Sequence, residues 1–219
     1  HWANASAGLD ALLDGWNVLF GIAVYLLASI MGMLYMNNNI NDTVIRSRIR
    51  KFLGIYTIAF LVCFLTFFIR TLFKDGFASN PDTGVIFMEP MKYLNNLLTM
   101  WPLAIVLLAG VLLLLYGIVR TFFDHNYVKG IWPAAIGEMM VVLVLFLIAG
   151  WNNTAFYPSN VDIQSSLTIS NACSSETTLR VMAYVSLLIP VIICYGAYAW
   201  HSIDKKKIDR KELQEGEAY

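Results

Sequence analysis

The sequence predicts an all-α membrane protein: five transmembrane helices in a bundle, with the N-terminus outside and the C-terminus cytoplasmic. Three observations predict it. The 219 residues are 58% hydrophobic, against roughly 45–50% in an average soluble domain. Only 14% are charged, which leaves too little polar surface to coat a water-soluble globule. The apolar residues are also gathered into five stretches long enough to cross a bilayer core, which takes about 20 residues of helix.

The spans fall at about 17–36, 52–70, 101–120, 131–151 and 181–201. The second ends on Arg70 and the third on Arg120, and their interiors carry no charge. The fourth carries a single one, Glu138. No span alternates strictly between apolar and polar residues, so a β-barrel does not fit. A helix satisfies its own backbone hydrogen bonds in lipid, and that is the structure these residues favour. Ahead of the first span, the segment from Ala7 to Gly15 sets Leu9, Leu12 and Leu13 beside Asp10 and Asp14, as in a short interfacial helix. Pro102 and Pro133 sit in first turns, where a missing N–H is tolerated, whereas Pro190 lies mid-span and is expected to kink the last helix. Ala28 and Gly32 form a small-xxx-small pair that would admit a close helix neighbour.

Orientation follows from Lys and Arg. The 37–51 loop, the 120–130 loop and the C-terminal tail together hold 11 of these residues, and the opposite side holds 4. The positive-inside rule then puts the C-terminus in the cytoplasm and His1 outside. Trp16, Trp101, Trp132, Trp151 and Trp200 each mark a span end, as expected of indoles settled at headgroup level. The outer connections, 71–100 and 152–180, are long and polar, the second rich in Ser, Thr and Asn, with the turns of an ordered surface loop. Asn152-Asn153-Thr154 matches a glycosylation sequon, a pattern too common by chance to carry weight.

Little in the chain carries chemistry. Net charge is zero, which gives no basic field for nucleic acid. Cys63, Cys173 and Cys194 lie far apart and form no C-x-x-C pair, so they read neither as a disulfide framework nor as a zinc site. No metal-ligand cluster, phosphate loop or nucleophile elbow is present, and no signal-peptide pattern precedes the first span. The histidines, His1, His125 and His201, lie at or beyond span ends, whereas a b-type haem in a membrane bundle usually takes a histidine at membrane depth. Nine methionines could in principle serve as second ligands but in apolar spans read as packing. The expectation is therefore no catalytic, cofactor or metal site in this chain. Glu138 is the one candidate, as an intramembrane proton-relay member about 10 Å along its helix at 1.5 Å per residue. The competing reading is a protonated or hydrogen-bonded glutamate that packs. Arg120 and Lys129 are the nearest cations to it in sequence, and Arg70 at its span end reads as a snorkelling side chain.

The final third carries a resemblance. Tyr157-Pro158-Ser159, then Ser166-Leu167-Thr168, then Ala172-Cys173-Ser174-Ser175, Thr178-Leu179 and Met182 stand in that order before a last helix with Pro190, Tyr195 and Trp200. A tail with Asp209-Arg210-Lys211-Glu212 follows. This pattern resembles subunit II of the cytochrome bd quinol oxidases, and Trp16-Asn17-Val18-Leu19-Phe20-Gly21 with Arg46-Ser47-Arg48 looks similar too. The resemblance implies nine helices in two four-helix units plus a peripheral helix. This chain would be the last five helices of a longer subunit. It also implies a bacterial cytoplasmic (inner) membrane complex that oxidises quinol and reduces dioxygen, with haems b and d in a partner, subunit I, and none in subunit II. The expected partners are subunit I, which the resemblance implies, membrane lipid and a quinone; the zero net charge speaks against nucleic acid. The resemblance leaves proton or oxygen access as a role for this chain, but the family's best-known acidic residue for proton entry and much of its proposed oxygen path belong to the front half and map onto no position here. A secondary transporter fragment is the alternative reading, supported only by Glu138 and Pro190 and by no evident repeat; a scaffold without transport or redox role is the third.

Overall fold

A computed structural model describes residues 9–159 and 161–203. His1, the start of the first segment at Ala7, and the tail residues Lys205, Lys206, Lys207, Arg210 and Lys211 lie outside the described residues.

Five helices are long and apolar enough to cross a membrane, the last of them interrupted. A 3₁₀ turn at Leu9–Leu13 leads into α1, Gly15–Asn39, whose first turn is capped by the Asp14 carboxylate accepting from Trp16 N–H. Ile40 to Asp42 reverse the chain, and α2 runs Thr43–Phe73. The sequence placed a loop over 37–51, but the structure carries the helix up to two and a half turns further towards its N-terminus. The reason is Asp42, whose carboxylate accepts from Val44 N–H at 2.8 Å and Ile45 N–H at 2.9 Å and satisfies donors a helix start leaves open. Arg46, Arg48, Arg50 and Lys51 therefore project from the start of a helix and not from a loop.

After α2 the chain forms a hairpin, β1 Gly76–Ser79 with β2 Ile86–Glu89, antiparallel with Gly76 opposite Glu89. A short helix follows, α3 Lys92–Thr99, then α4 Trp101–Phe123 and α5 Ile131–Gly150. The hairpin corrects the all-α expectation: four-residue strands are too short to stand out by alternation in a polar connection. The second long connection bonds to the hairpin, Ser79 N–H donating to the Asn153 carbonyl and Ala155 N–H to the Phe77 carbonyl. The two long connections thus make one cap over one end of the bundle.

The last span is α6 Glu176–Ser186 and α7 Ile189–Ile203. Pro190 offers no N–H to the Ser186 carbonyl, so the α-helical ladder cannot run through. Leu187 and Leu188 instead donate to Tyr184 and Val185, three residues back, and the helix restarts. The predicted kink is thus a break of one turn placed just before the proline.

Helices α1, α2, α4 and α5 pack as a four-helix unit. Its core holds Ala23, Ile30 and Leu34 of α1, Leu53 and Phe60 of α2, Leu114 and Ile118 of α4, and Ala134 of α5. A second apolar layer of Leu97, Val144 and Ile148 lies nearer the cap. In lipid, packing has to come from close approach and not from escape from water. Glycine supplies it along α4 and α5. A Cβ on Gly117 would lie 2.5 Å from the Gly130 carbonyl oxygen and 2.9 Å from Ala134 N, and one on Gly110 would lie 2.9 Å from the Gly137 carbonyl oxygen. Ala28 and Gly32, singled out in the sequence, are exposed, and a Cβ on Gly32 meets nothing within 4 Å. They do not make the close approach inside this unit. Residues of α6 and α7 are exposed except for half-buried Gly196 and Ala199, with Trp200 edge-on to Tyr35 at 6.2 Å.

Candidate functional site

Glu138 stands on α5 two turns beyond Ile131, in the stretch where Gly137 and Val141 face the bundle. Its side chain lines a crevice of about 100 Å³ reached by all four packed helices. The other walls are Phe20, Ala23, Val24 and Leu27 of α1, Phe60, Leu61, Phe64 and Leu65 of α2, Val111, Leu114 and Leu115 of α4, and Val141, Val142 and Leu145 of α5. Every one is apolar. Among its lining, Val24, Leu65 and Val142 are exposed, so the crevice has an open rim. Among the described residues, the Glu138 carboxyl has no hydrogen bond or ion pair.

Neither cation nearest in sequence pairs with it. The Arg120 guanidinium bonds the Tyr116 hydroxyl and lies 4.4 Å from the centre of the Tyr127 ring. Lys129 is exposed in the loop after α4. Arg70 lies 4.0 Å over the Trp16 ring, a cation–π contact that ties the end of α2 to the start of α1. Between Glu138 and the loop end of the bundle lie buried Ile30, Leu34, Leu53, Ile118 and Ala134. Towards the cap lie Val144 and Ile148. The carboxyl is thus bracketed by apolar layers.

His125 lies in the exposed loop after α4, where its carbonyl accepts from Arg50 Nη2 at 2.7 Å, and His201 is exposed on the last turn of α7. Cys63 is half-buried, and Cys173 and Cys194 are exposed. Among the described residues, no group of three or more His, Cys, Asp or Glu side chains is placed to hold a metal ion.

The structure gives the motif residues of the second long connection a physical role. Tyr157 and Leu167 pair as a β-bridge, and Ser166 Oγ, fully buried, accepts from Ser159 N–H at 3.0 Å and donates to the Ile163 carbonyl. Thr168 N–H donates to Asn171 Oδ1 at 2.7 Å, and Asn171 Nδ2 donates back to the Ser166 carbonyl. Ser175 caps α6 through Thr178 N–H. Each short polar side chain replaces a backbone partner that an irregular loop lacks.

A polar centre that the sequence did not single out locks the cap to the bundle. Asn96 of α3 is fully buried, its Nδ2 donating to the Ile148 carbonyl at 2.8 Å and to Thr154 Oγ1 at 2.7 Å. Its Oδ1 accepts from Asn152 Nδ2 at 3.0 Å. Of the sequon, Thr154 is buried and the half-buried Asn152 is engaged through its amide, while Asn153 is exposed. Nearby, Lys92 is 6% exposed and pairs with Glu89 at 2.8 Å. Burial pushes the Glu89 carboxyl up, but hydrogen bonds from Lys92 and Asn95 outweigh it and hold the group below its ordinary value. Nothing in the sequence marked Asn96: an asparagine beside another in a polar connection reads as surface.

Comparison with known proteins places this architecture. The profile of the family described as cytochrome bd terminal oxidase subunit II matches residues 2–203. The chain is similar to the cytochrome bd-I ubiquinol oxidase subunit 2 of Escherichia coli strain K12 and of Escherichia coli O157:H7, 26% identical to each over 220 residues. That alignment takes in 91% of this chain and 55% of each relative, so the chain spans about half their length. With four packed helices, a fifth set apart, and a family profile running from residue 2 to the last described turn, the chain belongs to the cytochrome bd terminal oxidase subunit II family.

Proposed function

We propose that this chain acts as the non-haem subunit II of a bd-type quinol:oxygen oxidoreductase in a bacterial cytoplasmic membrane, assembled with a haem-bearing subunit I. The family match across residues 2–203 carries the reading. The positions of His125 and His201, both outside the apolar helix interiors, support a chain that supplies no axial ligand. The Lys and Arg distribution supports a cytoplasmic C-terminus and an external cap. The outward, uncovered Ala28 and Gly32 support close approach of a further helix on that face of α1. The test is the visible spectrum of the complex purified through a tag on this chain. Haem bands should copurify, and His125→Ala and His201→Ala should leave them unchanged. Loss of one band in either variant, with the complex intact, refutes the non-haem assignment.

The surroundings of Glu138 favour its packing role over a proton relay. A relay passes protons between polar groups or waters, and the crevice walls offer none. An apolar crevice suits an apolar molecule such as dioxygen better. Quinol oxidase turnover against pH for Glu138→Gln should match the parent in rate and in profile. A displaced pH profile would restore the relay. Val24→Phe at the rim should raise KM for oxygen and leave kcat alone; an unchanged KM removes the oxygen reading.

A further inference from the structure

The loop between α4 and α5 is held from two helices by two side chains, and each keeps a buried polar atom that, among the described residues, has nothing to bond. Asn37, near the end of α1, is 1% exposed. Its Nδ2 donates to the Tyr127 carbonyl at 3.3 Å, and its Oδ1 is buried without a hydrogen-bond partner. The amide orientation is fixed by that first bond, since the reverse would set Oδ1 against a carbonyl oxygen. Arg50, on α2, donates from Nη2 to the His125 carbonyl at 2.7 Å, and its Nε–H is buried without an acceptor. One orphan is an acceptor and the other a donor, and both residues grip the same loop two positions apart.

Buried polar groups in folded proteins are almost always satisfied, by protein or by ordered water. A carboxylate or phosphate would answer Arg50 Nε but repel Asn37 Oδ1. An ammonium or metal cation would answer Asn37 Oδ1 but repel the guanidinium. A neutral molecule that both donates and accepts answers both. We propose that a single ordered water bridges Asn37 Oδ1 and Arg50 Nε, accepting from the guanidinium and donating to the amide oxygen. Its second hydrogen has acceptors at hand, because the His125 and Tyr127 carbonyls each keep a free lone pair. Three hydrogen bonds are what a buried water typically makes. The water ties α1, α2 and the α4–α5 loop together at the basic end of the bundle, where Arg120 also lies against Tyr127.

The experiment is electron cryomicroscopy of the whole protein, in its native complex in lipid nanodiscs, at a resolution that shows ordered water. The expected result is one compact peak within about 3 Å of both Asn37 Oδ1 and Arg50 Nε. In Asn37→Val the peak should vanish while Arg50 keeps its bond to the His125 carbonyl. A larger four-oxygen density at Arg50, as from a lipid phosphate, overturns the proposal. So does a peak bonded to only one of the two atoms, an empty site, or a peak that persists in Asn37→Val.

Discussion

Replacing Gly137 by alanine tests whether α4 and α5 are held by close backbone approach. A Cβ there would lie 2.5 Å from Leu114 N and 3.0 Å from Leu114 Cα, and closer still to the Gly110 carbonyl oxygen. Non-bonded heavy atoms prefer about 3.5–4.0 Å, so the helices would have to part by roughly 1 Å. All three obstacles are backbone, which no rotamer change relieves. Overpacking of this kind costs about 1–3 kcal/mol, and three backbone contacts place it near the top of that range. Alanine is the better helix former by about 1 kcal/mol. The net effect of Gly137→Ala is therefore a loss of about 2 kcal/mol. Gly32→Ala is the matched control: nothing lies within 4 Å, so only propensity acts and the change is neutral or stabilising by up to about 1 kcal/mol. The assay is reversible unfolding of the full chain in mixed micelles, followed by far-ultraviolet circular dichroism. Gly137→Ala should lose stability while Gly32→Ala loses none. A Gly137→Ala protein as stable as Gly32→Ala would refute the account of the seam.

Three further outcomes follow from the cap and the topology. Asn96→Leu removes three hydrogen bonds at a buried site and leaves Thr154 and Asn152 without their partner; it should destabilise by about 2–4 kcal/mol and expose the 152–175 loop to limited proteolysis. The Glu89–Lys92 pair should make the cap acid-sensitive. Because the folded-state pKa of Glu89 is lowered from 4.5, its contribution is complete above about 4.5 and is lost as pH falls through the lower folded value. Protease protection of the hairpin should drop only in that acid window, and Glu89→Gln should remove the dependence; an identical drop in the variant would assign it to other groups. A membrane-impermeant thiol reagent should label exposed Cys173 in intact cells and spare a cysteine placed at Ser202. The reverse pattern would invert the topology.

The sequence by itself determined the number and type of the spanning elements. Twenty apolar residues without charge have one dry solution, a helix, whatever lies around them. Helix ends were less legible, because they turn on single side chains. Asp42 starts α2 well before the apolar run begins, and Ser175 starts α6 five residues ahead of Val181. Tertiary structure alone decided which small residues pack. Ala28 and Gly32 have the spacing of an interface, yet Gly110, Gly117 and Gly137 make one, since spacing states that a helix can be approached and not what approaches it. It also decided that Glu138 faces apolar walls, with Arg120 turned to tyrosines. The cap was hidden for the same reason. Asn96 draws its bonds, and the hairpin its ties to the second long connection, from residues more than fifty positions away, and no local pattern encodes a partner at that distance.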